Sequence, residues 1–410
     1  MKIAKEADLS VDFCGIKFQN PFVLSSAPPT TTGEMIKRAF DAGWAAAITK
    51  TLVREEIVNV KPRFASLAYP GTPEEPKKIY AFENIELTTD RPFSVWLEEI
   101  EDIRKSYPDH VIIASLMDDA SHPEGWKEMA KQVEEAGAHM IELNMSCPHG
   151  MPEKGMGSAI GQDPQLAGMV TKWVAEVVKI PIIAKMTPNV TDISQPAKSC
   201  VENGASALSA INTVAAIIGV DLETFVPKPA VAGYSAHGGL SGRAVKPIAL
   251  KAVAAIGQAV NVPISAIGGI STWEDAAEFL LMGASTLQLC TEVMVRGYNI
   301  VEDLKDGLSN YMEEHGFASI QDMVGLAQKK LRAISDLSTK YKVVSSVDES
   351  TCVKCDICYI SCRDAGYQAI SLKEDRIPIV DEEKCTGCSL CYQVCPVWDC
   401  VAMKEVTTAG

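Results

Sequence analysis

The chain has 410 residues, 47% of them apolar, which allows two domains with substantial cores and argues against disorder. A formal net charge of −15 disfavours nucleic acid as a partner, because phosphate recognition needs a basic face. No apolar run approaches the length of a membrane span and no basic amphipathic stretch offers a membrane anchor. The opening residues MKIAKEADLSVDF lack the apolar core of a signal peptide, so a cytoplasmic protein is expected.

In chain order, short β-rich runs alternate with segments of helical periodicity. They are Phe22–Ser26, Ala45–Thr49, Val111–Leu116, His139–Asn144, Pro181–Met186, Ser206–Ile211, Pro263–Ile267 and Ser285–Leu289. Continuous apolar strands separated by helices predict an α/β fold with parallel strands buried on both faces. Eight such strands predict a closed (β/α)8 TIM barrel, with a doubly wound open sheet as the alternative. In a barrel the strand ends share one mouth. Here they are Ala27, Lys50-Thr51, Asn144, Lys185, Asn212-Thr213, Gly268-Gly269 and Cys290-Thr291. Lysines, amides and glycines suit a phosphate-bearing, amide-rich ligand. Glycines after strand seven stand where barrels commonly hold phosphate through backbone N–H groups. Cys147 lies on a loop rich in Gly and Pro after strand four. It reads either as an inert buried thiol or as an acid or base beside a ligand. His149 and His237 are equally open, since neither has a metal-ligand partner at helical or strand spacing.

Residues from Ser319 to Lys342 read as helix. The expected division is therefore a barrel over 1–318, a helical connector over 319–344 and a cysteine-rich domain over 345–410. Of thirteen cysteines, nine lie between Cys352 and Cys400. In a long chain without an export signal this points to metal rather than disulfides. Cys352, Cys355, Cys358 and Cys362 follow C-x2-C-x2-C-x3-C, and Cys385, Cys388, Cys391 and Cys395 repeat it, ending in Pro396. That is the spacing of two-cluster bacterial ferredoxins, in which the fourth cysteine of each run ligates the other cluster. The expected sets for two [4Fe–4S] clusters are Cys352, Cys355, Cys358 and Cys395, then Cys385, Cys388, Cys391 and Cys362. Zinc knuckles are the alternative, but zinc needs no third cysteine at that spacing. Arg363 stands where ferredoxins usually have proline, and Cys400 is a spare. No G-x-G-x-x-G follows a strand, so no NAD site is expected in this chain.

Longer strings carry a resemblance: Ala81-Phe-Glu-Asn84-Ile-Glu86-Leu, Asn144-Met-Ser-Cys-Pro-His-Gly150, Ala184-Lys-Met-Thr-Pro-Asn-Val-Thr-Asp192, Asn212-Thr213-Val and Gly238-Gly-Leu-Ser-Gly242. The chain resembles the dihydropyrimidine dehydrogenases over nearly its whole length, and its barrel is similar to the dihydroorotate dehydrogenases. The resemblance implies FMN contacted by Ala27, Lys50, Thr51, Lys185 and Gly239, with its phosphate at Gly268, Gly269, Cys290 and Thr291. It implies uracil or thymine held by Asn84, Asn144, Asn212 and Thr213. Cys147 would be the general acid, protonating C5 while reduced FMN delivers hydride to C6. It further implies a hetero-oligomer in which a partner subunit binding NAD(H) and FAD supplies electrons through the two clusters. A dihydroorotate dehydrogenase, which would need a cation for the orotate carboxylate, and a non-catalytic electron carrier are the rival readings.

Overall fold

In the computed structural model all eight predicted strands form and hydrogen-bond in parallel, each to the next in chain order and the eighth to the first. The barrel strands are Phe22–Leu24, Ala46–Ile48, Val111–Leu116, Met140–Asn144, Ile182–Met186, Ala207–Ala210, Ile264–Ile267 and Thr286–Leu289. Residues 7–55, 57–69, 77–149, 152–365 and 367–406 are described. Strands three, four and five are buried at every residue, because helices cover their outer face while side chains fill the interior. Register places Asn144 beside Lys185 and Lys185 beside Ser209 on adjacent strands.

The surrounding helices start where their sequences provide caps. Thr32 accepts the backbone N–H of Met35, Asp163 accepts those of Gln165 and Leu166 ahead of Pro164, and Thr272 forms a capping box with Asp275. The core between helices and strands includes Trp44, Trp96 and Trp126, all without solvent exposure. Helices Trp273–Leu281 and Ile300–His315 approach closely at Gly307, where a Cβ would overlap the Trp273 ring. No helix among the described residues is long and apolar enough to cross a membrane.

Two additions were not foreseen. An antiparallel hairpin, Val11–Phe13 with Ile16–Phe18, turns through Cys14 and Gly15 at positive φ. A four-stranded antiparallel sheet joins Val214–Ala216, Gly238–Ser241, Lys78–Asn84 and Phe64–Tyr69 in that order. Its strands come from the long connections after barrel strands two and six, and its residues Phe64, Phe82, Asn84, Leu240 and Ser241 help line the barrel's cleft.

The chain forms two compact units, Met1–Lys330 and Leu331–Gly410. The helix expected over Ser319–Lys342 is not continuous. It reduces to one turn at Ile320–Met323 and 3-10 turns at Gln328–Lys330 and Ile334–Asp336. Val324 leaves the helical region at ψ 117° and Gly325 has positive φ, and the N–H groups of Gly325 and Ala327 donate to the carbonyls of Leu280 and Leu281 instead of continuing a helix. Beyond Gln328 the residues to Tyr341 are exposed, so no buried apolar face stabilises a helix there.

The second unit repeats itself. Helices Ile357–Asp364 and Leu390–Val394 each begin after a residue at positive φ, Asp356 and Ser389, that sits between the second and third cysteines of its run. Strand Val343–Val347 pairs with Val401–Glu405, and Ile370–Leu372 with Pro378–Val380, both antiparallel.

The contact at Gly307 yields a stability test. Gly307→Ala should lower stability by about 1 to 3 kcal/mol through overpacking, despite alanine's intrinsic helix preference. Gly219→Ala, where a Cβ meets nothing within 4 Å, should stay within about 0.5 kcal/mol of wild type in the same denaturant titration.

Candidate active site

The parallel strands deliver their C-terminal ends to one open cleft, roofed in part by the antiparallel sheet. Ala27, Lys50, Thr51, Asn84, Asn144, Cys147, Lys185, Asn212, Thr213, Gly268, Gly269, Cys290 and Thr291 all line it. Gly239 is not among the lining residues. It pairs with Asn84 across the sheet, but a Cβ there would collide with Thr213 Oγ1, so the threonine covers it. Its carbonyl accepts from Asn84 Nδ2 at 3.3 Å, which makes it a support for that amide. His237 is exposed and outside the lining.

A chain of polar groups crosses the floor. Thr51 Oγ1 meets Ser26 Oγ at 3.0 Å and accepts from Asn144 Nδ2 at 2.8 Å. Asn144 Oδ1 in turn accepts from Asn212 Nδ2 at 3.3 Å, which also reaches Ser146 Oγ at 2.8 Å. Asn212 Oδ1 receives the Thr213 N–H at 2.8 Å. Each amide is therefore oriented by a neighbour, as a recognition site for alternating donors and acceptors requires.

Both lysines are buried and paired. Lys50 Nζ stands 2.6 Å from Glu86, whose other oxygen takes Arg63 Nε at 2.8 Å. Lys185 Nζ stands 3.1 Å from Glu142. A buried ammonium without such a partner would be strongly disfavoured. Glu86, Arg63 and Glu142 were not among the predicted site residues. Glu142 had left a signal, a carboxylate between the apolar Ile141 and Leu143 of a fully buried strand.

Cys147 packs, with Leu87 and Met156, against the buried Val53 and Met117, and burial pushes its thiol up from the ordinary value. Its Sγ faces the His149 carbonyl at 3.6 Å, while its own carbonyl accepts the Ser158 N–H at 2.9 Å. Gly157 makes that second bond possible: its φ is 57°, and a Cβ would lie 2.7 Å from the Cys147 carbonyl oxygen. His149 Nε2 lies 2.9 Å from the Glu86 carbonyl, so it must donate. Nδ1 is then a bare acceptor, buried and without a partner, and burial holds the imidazole neutral by lowering its pKa. Burial also pushes Cys290 up to about 12, keeping that wall uncharged.

In the second unit the cysteines gather crosswise. Cys362 joins Cys385, Cys388 and Cys391 around one cavity, and Cys395 joins Cys352, Cys355 and Cys358 around another. Cys400 is buried on the wall of the latter. Cys362 Sγ accepts the Ala369 N–H at 3.4 Å, and Cys391 Sγ meets Ser345 Oγ at 3.1 Å, contacts of a kind that tune cluster sulfurs.

Residues 8–312 match the family model described as dihydroorotate dehydrogenase. The chain belongs to the dihydroorotate dehydrogenase family. It is an oxidoreductase of that family, extended by a match to the 4Fe-4S dicluster domain over residues 345–403. It is 44% identical to NAD-dependent dihydropyrimidine dehydrogenase subunit PreA of Escherichia coli K12, covering 97% of this chain and 96% of that one. It is 41% identical to the chloroplastic dihydropyrimidine dehydrogenase (NADP(+)) of Arabidopsis thaliana, over 82% and 81% of the two chains. Identity to the catalytic subunit of dihydroorotate dehydrogenase B (NAD(+)) of Pyrococcus abyssi is 37%, over 78% of this chain and 99% of the relative.

One buried carboxylate of the roof remains outside the cleft. Glu83 faces away from Phe82 and Asn84, is fully buried, and has no hydrogen-bond partner for either oxygen. Burial raises its pKa from 4.5 to about 7. The unfolded chain releases this proton near 4.5 and the folded chain near 7, so stability falls across that window as pH rises. The thermal midpoint of wild type should therefore drop relative to Glu83→Gln between about pH 4.5 and 7, with a constant gap above. A gap that does not change with pH would contradict a neutral Glu83.

Proposed function

We propose that the barrel binds FMN in its cleft and reduces uracil and thymine to their 5,6-dihydro forms, with Cys147 as the general acid. The observation that carries this reading is the convergence of one protonated thiol with Asn84, Asn144, Asn212 and Thr213 in a cleft that also holds two ammonium groups. The names of the Escherichia coli and Arabidopsis relatives support the dihydropyrimidine assignment. Uracil presents alternating N–H and C=O groups, and amide side chains carry a donor and an acceptor to match them.

The residues present fit FMN. Gln288 lines the cleft with a buried Oε1 that has no partner, and Gly269, at φ 79°, leaves a cradle that a Cβ would fill against Lys246 and the Gly242 carbonyl. Lys50, Thr51, Lys185 and Ala27 would hold the ring, and Gly268, Gly269, Cys290 and Thr291 the phosphate. FMN, when bound, supplies a hydride for C6 of the pyrimidine. Cys147 gives the proton that C5 takes up, and its apolar surroundings keep that proton on sulfur at neutral pH. The oriented amides fix the pyrimidine, and the loop held by Gly157 and Ser158 sets the position of the thiol.

Two [4Fe–4S] clusters, held by Cys352, Cys355, Cys358 and Cys395 and by Cys385, Cys388, Cys391 and Cys362, would relay single electrons. A partner subunit carrying FAD and binding NADH would supply them, giving a hetero-oligomer. The crosswise gathering of the cysteines supports the ligand sets. The division into a barrel over 1–318, a connector over 319–344 and an iron–sulfur part over 345–410 belongs to this reading, and the family matches support it. Thirteen unpaired cysteines fit a reducing cytoplasm.

The test is anaerobic. The purified chain is reduced with dithionite, the excess removed, and the visible flavin band followed after adding uracil, thymine or orotate. Uracil and thymine should reoxidise the flavin and orotate should not, while Cys147→Ala should slow the reaction by about 100-fold or more. Reoxidation by orotate alone would assign dihydroorotate chemistry instead, and reoxidation by none would leave an electron carrier.

A further inference from the structure

Directly beneath the cleft, the barrel interior carries a polar layer where branched apolar side chains usually pack. Glu142 on strand four, Lys185 on strand five, Ser209 on strand six, Ser265 on strand seven, and Thr286 and Gln288 on strand eight are all buried. Glu142 is its hub. One carboxylate oxygen accepts from Lys185 Nζ at 3.1 Å, and the other from Ser209 Oγ at 2.9 Å and Gln288 Nε2 at 3.3 Å. Ser265 Oγ accepts from Gln288 Nε2 at 3.0 Å and from Thr286 Oγ1 at 2.8 Å. Because a carboxylate only accepts, the Gln288 amide nitrogen must face Glu142, which leaves its Oε1 as the unpartnered atom.

Of this layer Lys185 and Gln288 line the cleft, whereas Glu142 does not. Glu142 therefore cannot touch a ligand there and can act only through its neighbours. At 3.1 Å, in a water-poor interior, its charge offsets much of the positive field that Lys185 projects into the cleft. A purely structural strut would leave that field unused, yet the ammonium sits at the cleft surface. We propose that Glu142 is a positioning residue for Lys185, and that the pair, rather than the lysine alone, sets the reduction potential of the flavin bound above it. This rests on the FMN reading given above.

The experiment measures the two-electron midpoint potential of the bound flavin in the FMN-loaded full chain by spectroelectrochemistry. Glu142→Gln keeps the size of the side chain and removes the charge. The uncompensated ammonium then favours the reduced, anionic flavin, and the potential should rise by at least about tenfold in equilibrium constant, roughly 30 mV. Glu142→Asp keeps the charge but withdraws it by one methylene. It should give a smaller rise, and it carries the test if the glutamine variant does not fold. In a Lys185→Met background Glu142 has no ammonium to position or offset, so Glu142→Gln should move the potential by less than half as much. Folded, FMN-loaded variants with the wild-type potential, or equal shifts with and without Lys185, would overturn the role of Glu142 alone. A wild-type chain that binds no FMN would overturn the flavin reading itself, and this inference with it.

Discussion

A closed parallel barrel leaves every strand pointing the same way, and the rest of this molecule's chemistry depends on that constraint. The C-terminal ends of eight strands must open onto one mouth. Residues as far apart in the chain as Ala27 and Thr291 therefore line a single cleft without any long-range contact being selected one by one. Register then does finer work. Because Asn144 lies beside Lys185 and Lys185 beside Ser209, an amide, an ammonium and a hydroxyl stand on three adjacent strands.

Charge burial is the second constraint. Lys50 and Lys185 are placed where solvent is scarce, and each is accompanied by a carboxylate, Glu86 or Glu142. The pairs differ in use. Glu86 lines the cleft, shares its charge with Arg63, and through its carbonyl fixes the tautomer of His149. Glu142 lies behind the surface and is saturated by three donors. Around Cys147 the balance is reversed, since apolar neighbours rather than a base keep the thiol protonated. One cleft thus holds fixed positive charge together with a neutral thiol, groups suited to holding an anion and to giving a proton.

The cysteine unit follows a different logic. Its apolar core is small and includes the cysteines Cys358, Cys391 and Cys400, so sulfur ligation rather than side-chain packing would supply much of its order. Positive φ at Asp356 and Ser389 lets each run curl before its helix, and the internal repeat brings the last cysteine of one run to the other's cavity.

The amino-acid sequence by itself determined the strand count and class of the barrel, the residues at its mouth and the cysteine spacing, because each is written in a short window. Continuous apolar runs signal burial on both faces, and two- and three-residue spacers fix where neighbouring thiols point. Only the tertiary structure decided the rest. Lys50 meets Glu86 across 36 positions, Lys185 meets Glu142 across 43, and Gln288 meets Glu142 across 146. No local periodicity encodes such pairings. The roof is not written in any one window because its strands come from two distant connections, so each is stabilised by the others and by the barrel rather than by its own pattern. The helix expected after Ser319 ends early because Gly325 directs the backbone to Leu280, and beyond Gln328 no buried apolar face supports one.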